Sequence, residues 1–172
     1  MITFKTVLVA TDFSEPSDAA LVYGRALATR FGATLHVLHV AQNVYISTFG
    51  AENFAIVAPG LQQQVEDDAR RSLHQLLIDS DGSGPPTVRA ILTSSSPAMA
   101  IVDYANDHDI DIIVMGTHGR GALAHLVMGS VAEQVVRLAP CPVLTLRRPE
   151  REFVSPDTLA TVAQSPERYA GR

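Results

Sequence analysis

Apolar residues follow two alternating rhythms along this chain. Short, mostly β-branched runs read as strands buried on both faces: Thr6 to Ala10 (TVLVA), residues 33 to 40 (ATLHVLHV), Val88 to Leu92, IDIIVM ending at Met115, and Val143 to Leu146. Between them the apolar spacing turns helical. Ala20, Gly24, Leu27, Ala28 and Phe31 form one stripe, opened by Ser14 and Pro16 and stopped by Gly32. After a long loop, Leu61, Val65, Ala69, Leu73, Leu76 and Leu77 form a second stripe, which ends before the turn-rich SDGSGPP. Ser96 and Pro97 open a third helix with Ile101 and Ala105 on one face. A glycine-rich loop, GTHGRG at 116 to 121, leads into helical material through Val136, and Pro140 and Pro142 introduce the last strand.

This alternation predicts an α/β fold: a five-stranded parallel open sheet with right-handed crossovers and helices on both faces. In such sheets ligands bind beyond the carboxyl ends of the strands, where Asp12 and the glycine loop both fall. The domain is expected to span residues 1–147. Residues 148–172 hold Pro149, Pro156 and Pro166 and little apolar periodicity apart from Leu159 and Val162, so they read as a flexible tail.

Composition narrows the partners. A chain of 172 residues allows one domain and a short appendage, and 47% hydrophobic residues exclude disorder throughout. Lys5 is the only lysine, and residues 1–146 carry 8 basic against 14 acidic side chains, a balance that repels a phosphate backbone and argues against nucleic acid. The tail is near neutral. Cys141 has no second cysteine to pair with, and the apolar run after Lys5 is too short for a signal-peptide core. The longest stretch without formal charge, Phe31 to Ala51, is broken by His36, His39, Gln42, Asn43 and Ser47 and does not read as a membrane span. A cytoplasmic protein without a membrane partner is expected.

The strongest chemical signal is Gly116 and Gly119, then nine residues, then Gly129 and Ser130, directly after a buried strand. Glycines let backbone turn tightly and approach a ligand, and Ser130 with Glu133 has the spacing of a capping box at a helix start. Free N–H groups and roughly half a positive charge at such an end suit a phosphate. Two familiar nucleotide motifs fail. Gly116 and Gly121 have P-loop spacing, but Ala122 and Leu123 stand where Lys and Ser or Thr are required. The turn after the first strand, ATDFSE, lacks the dinucleotide glycines. Asp12 either accepts from a ribose hydroxyl or an adenine amine, or makes an Asx-type bond into the segment SEPS. Arg120 offers a forked cation to phosphates, or is a solvated loop arginine; His118 is the weaker neighbour.

The remaining reactive side chains offer no metal or catalytic chemistry. His36 and His39 point to opposite faces of one strand and cannot chelate one metal, and no metal site of protein ligands alone is visible. Ser130 has no hydrolase elbow, so no catalytic residue is assigned. Cys141 reads as a buried small hydrophobe, and the run Asp103, Asp107, Asp109, Asp111 as a solvated helix end and strand start.

ATDFS at 10–14, LHV at 38–40 and VMGTHGRG…MGSVAEQVV…CPVLTLR at 114–147 resemble the universal stress protein family, whose ATP-binding members carry G-x2-G-x9-G-[ST]. The resemblance implies a sheet of order 3-2-1-4-5, a homodimer, and ATP between the ends of strands one and four. By motif position, Ala10, Thr11 and Asp12 would border the adenosine, and Val40 would meet adenine with its backbone. Met115, Gly116, Gly119, Gly129, Ser130 and Val131 would surround ribose and phosphates, with Thr117, His118 and Arg120 completing the loop. Mg²⁺ is expected to be held by phosphate oxygens. The edge position of Val143 to Leu146 also predicts a homodimer through the fifth strand. The expected function is an ATP-binding stress-response regulator whose nucleotide state modulates dimer contacts or those with an unidentified protein partner. The alternatives are a slow ATPase, a protein phosphorylating itself on Ser130 or Thr117, and a nucleotide-free interaction module, against which the intact Gly129 and Ser130 count.

Overall fold

Five parallel strands, β1 (Thr6–Ala10), β2 (Thr34–Gln42), β3 (Thr87–Ser94), β4 (Ile112–Gly116) and β5 (Val143–Leu146), lie in the order β3-β2-β1-β4-β5. This is the order implied by the family resemblance. Four helices among the described residues, α1 (Glu15–Phe31), α2 (Leu61–Ile78), α3 (Pro97–Asp107) and α4 (Ser130–Leu138), flank the sheet. The computed structural model describes residues 2–44, 60–78, 84–117 and 129–147. The tail expected over 148–172, most of the long loop before α2, and His118, Gly119 and Arg120 lie outside the described residues. No helix among the described residues is long and apolar enough to cross a membrane.

Alternation along the strands sorts the core into two layers. Val7, Val9, Leu35, Val37 and Val114 face α1 and α2, whereas Leu8, Ala10, Leu38, Ile113 and Met115 face α3 and α4. β1 lies in the middle, and Val7, Leu8 and Val9 are fully buried. The all-apolar run is explained by that double coverage. β3 was expected over Val88 to Leu92 but runs from Thr87 to Ser94, because β2 continues to Gln42 and pairs it as far as Ser94.

α1 is seated by two close approaches. A β-carbon placed on Gly24 would lie 2.2 Å from Val9 Cγ2, and one on Gly116 would lie 2.9 Å from Pro16 Cβ and 3.0 Å from its carbonyl carbon. The helix supplies the bare residue at one contact and the strand supplies it at the other. Gly32 ends α1 at φ 65, the left-handed conformation that favours glycine. At the opposite end of the sheet Asp111 corrects the reading of a solvated acidic run. Asp103, Asp107 and Asp109 are exposed, but Asp111 Oδ2 accepts from Lys5 N (2.6 Å), Thr6 N (3.0 Å) and Thr6 Oγ1 (3.3 Å). The bond from the Lys5 amide is the largest influence holding this carboxyl below its ordinary range.

Candidate functional site

The chain leaves β1 through a turn knitted from short polar side chains. Thr11 N donates to Leu38 O (2.9 Å), extending the β1–β2 ladder by one residue. Thr11 Oγ1 accepts from Phe13 N (3.0 Å) and lies 3.0 Å from Ser17 Oγ. Ser17 Oγ donates to Ser14 O (2.8 Å), so its one proton is used and the Thr11 hydroxyl is the donor in that pair. Asp12 Oδ1 accepts from Ser14 N (3.1 Å) and Ser14 Oγ (2.5 Å), the Asx-type bond that was one of its two expected roles. Phe13 has φ 61, a left-handed backbone unusual for an aromatic residue. Nothing in ATDFS marks that conformation in advance, since Phe is not among the residues that favour it.

Across the sheet β4 ends at Gly116, and the fold then pinches. Thr117 N donates to Leu146 O on β5 (2.8 Å), and Thr117 O accepts from Gly129 N (2.6 Å), so Thr117 and Gly129 meet beside the strand ends. Thr117 is buried. Two expectations change here. Gly116 is the last residue of a strand rather than the first of the glycine-rich loop, and its missing side chain makes room for Pro16 of α1. The capping box at Ser130 does not form: Gly129, extended at φ −71 and ψ 150, is the N-cap, and Ser130 is the first helical residue. Glu133 lies instead 3.8 Å from Arg137 in an exposed pair one turn along. The α4 N-terminus carries no side-chain cap among the described residues.

The described candidates share one edge. Ala10 pairs with Met115, and both belong to the layer under α3 and α4, where Val131 also packs. Thr11, Asp12, Gly116, Thr117, Gly129 and Ser130 follow at the carboxyl ends of β1 and β4, and Val40 lies on β2 opposite Leu92. The acid-bearing turn follows β1, and the start of α4, without a side-chain cap among the described residues, lies beside the end of the neighbouring strand β4, so the two can offer an acceptor and backbone donors.

The residues given no role from the sequence divide once the fold is in place. His36 and His39 do face opposite layers. His36 is buried, with Nδ1 2.9 Å from Tyr104 Oη, and burial followed by the neighbouring His108 lowers its pKa from the ordinary 6.5. His39 Nδ1 lies 2.8 Å from Thr11 O, and its ring packs against Phe13 with centroids 4.3 Å apart. That contact with the site turn is not marked in the sequence, where His39 is one of two histidines in a mostly apolar strand. Cys141 is half-buried, and desolvation raises its thiol pKa, which disfavours the reactive thiolate.

Residues 3–147 match the universal stress protein family. A universal stress protein of Thermus aquaticus, encoded 3′ of a sulfhydrylase, is 35% identical over 144 residues, which are 84% of this chain and 99% of the relative. The structure of the universal stress protein UspA from Lactobacillus plantarum superposes with a TM-score of 0.69 at 28% identity, covering 86% of this chain and all of that one (100%). A universal stress protein from Archaeoglobus fulgidus, solved in complex with dAMP, shares the fold at a TM-score of 0.58 and 22% identity, over 84% of this chain and 98% of its own.

Proposed function

The chain belongs to the universal stress protein family, and from that premise we propose that it is a cytoplasmic regulatory protein that binds ATP with Mg²⁺. Its nucleotide state alters contacts with a second copy, through β5, or with a protein partner. The observation that supports this reading is the α4 N-terminus, without a side-chain cap among the described residues, beside the end of β4, the strand that pairs with β1, whose carboxyl end leads into the Asp12 turn.

The first bond within α4 runs from Glu133 N to Gly129 O, so the N–H groups of Ser130, Val131 and Ala132 precede the helical ladder. With the helix dipole behind them they suit phosphate oxygens. The Asp12 carboxylate accepts from a ribose hydroxyl or adenine amine, and the Val40 backbone meets the adenine edge. Gly119 gives the phosphates room and Arg120 and His118 add cationic or polar contacts. Mg²⁺, held by phosphate oxygens, would neutralise their charge. Binding is favoured over turnover because Ala122 and Leu123 replace the P-loop lysine and its Ser or Thr neighbour. The dAMP held by the Archaeoglobus relative is of the same ligand class.

Identifying the small molecule released from the native protein and titrating ATP into three variants by calorimetry test the proposal. Gly129→Val keeps a backbone that valine readily adopts but fills the helix start, and Gly119→Val crowds the phosphates; both are expected to abolish binding while circular dichroism stays native. Ser130→Ala is expected to lose only about 0.5–2 kcal/mol, one hydroxyl, because the N–H donors remain. Undiminished ATP affinity in both folded valine variants would move the nucleotide elsewhere.

A further inference from the structure

We infer that His39 is a positioning residue for the nucleotide, clamping the Thr11–Ser14 turn from both sides of Asp12. The inference rests on the proposed ATP site and adds to it a residue that does not touch the ligand.

The Thr11 carbonyl is where the chain departs from the sheet. Its own N–H still bonds to Leu38 O, but the carbonyl is taken by His39 Nδ1 at 2.8 Å. A carbonyl only accepts, so Nδ1 carries the proton and the tautomer is set. The Thr11–Asp12 peptide is planar, so holding its oxygen toward β2 turns the Asp12 N–H away from β2. One edge of the imidazole thus fixes the peptide entering Asp12.

The flat face of the same ring acts on the residue that follows. Phe13 lies against it, with centroids 4.3 Å apart and planes inclined by 31°. Phe13 holds φ 61, a conformation costly for a residue with a β-carbon, which persists only where its surroundings impose it. The Thr11 hydroxyl, accepting from Phe13 N, closes the turn from below. Asp12 therefore sits between a peptide plane and a strained aromatic residue that both depend on His39. Val40, the expected adenine contact, is the next residue on β2, so the clamp shares a strand with the base-binding backbone.

Three variants separate the two actions. His39→Asn places an amide donor near the Nδ1 position and removes the ring, His39→Phe keeps a flat face without the donor, and His39→Leu removes both. In the nucleotide-free wild type, nitrogen NMR of the imidazole is expected to show the proton on Nδ1, and the Phe13 and Ser14 amides to exchange slowly. In His39→Leu that protection is expected to collapse and ATP affinity to fall about tenfold, the scale of losing one well-placed hydrogen bond and its preorganisation. His39→Asn recovers most of the affinity, whereas a general loss of packing would not be rescued by a smaller polar side chain. A folded His39→Leu that binds ATP as the wild type does, or a ring protonated only on Nε2, overturns the inference. A wild type that binds no adenine nucleotide overturns the proposed function instead; the tautomer and the exchange at Phe13 and Ser14, both read without ligand, still decide whether the clamp exists.

Discussion

At the scale of single residues, two glycines decide how closely α1 approaches the sheet. Alanine at position 24 would improve helix propensity by about 1 kcal/mol, yet its β-carbon would fall 2.2 Å from the fully buried Val9 side chain. Overpacking outweighs propensity, and Gly24→Ala is expected to destabilise by roughly 1–3 kcal/mol in urea unfolding. Adding Val9→Ala should give a smaller loss than the two single changes summed; strict additivity would show that the contact is not the cause. Gly116→Ala meets backbone of Pro16 as well as side chain, so it should lower stability even without ligand, seen as a lower melting temperature of the nucleotide-free protein. The packing role of Gly116 was not legible in the sequence, because Pro16 lies far away in the chain and only the fold brings it near. Ser130 shows the same limit. Its S-x-x-E spacing pointed to a cap, but a long-range bond from Gly129 to Thr117 O set where the helix begins.

Among elements, the β2–α3 contact is sensitive to pH near neutrality. His36 on β2 reaches Tyr104 on α3, and Tyr104 stacks on His108 at the end of that helix with centroids 3.8 Å apart. Burial, with His108 second, depresses the His36 pKa, so the fold favours neutral imidazole. The unfolded chain then takes up the proton first as pH falls. This contribution is complete above the ordinary value of 6.5 and is lost as pH drops from there through the lower folded-state value. Denaturant midpoints measured across that range should fall with pH in the wild type and flatten in His36→Leu; an equal slope in both would place the titration elsewhere. The elements themselves were legible because their boundaries are chemical: SEPS before α1, left-handed Gly32 after it, and prolines ahead of β5. The depth of His36 was not, since a histidine in an apolar run reads the same whether it meets water or a tyrosine.

For the whole molecule, the order β3-β2-β1-β4-β5 leaves β5 at an edge, with Val136 and Leu138 of α4 about half exposed, at 46% and 50%. A dimer through β5 would cover that edge, and Leu144→Lys is expected to shift sedimentation at micromolar concentration from dimer to monomer. A wild-type monomer at that concentration would sink the proposed pairing. The other end of the chain has its own consequence. β1 is made early yet lies in the middle, and the Thr6–Asp111 clip that secures it spans 105 residues. On a ribosome adding roughly 5–20 residues per second, one side of β1 therefore waits on the order of ten seconds for the strand that will pair with it. During synthesis the β3–β2–β1 half presents β1 as an open apolar edge until β4 is made, a pairing hazard that the finished sheet no longer has at that strand.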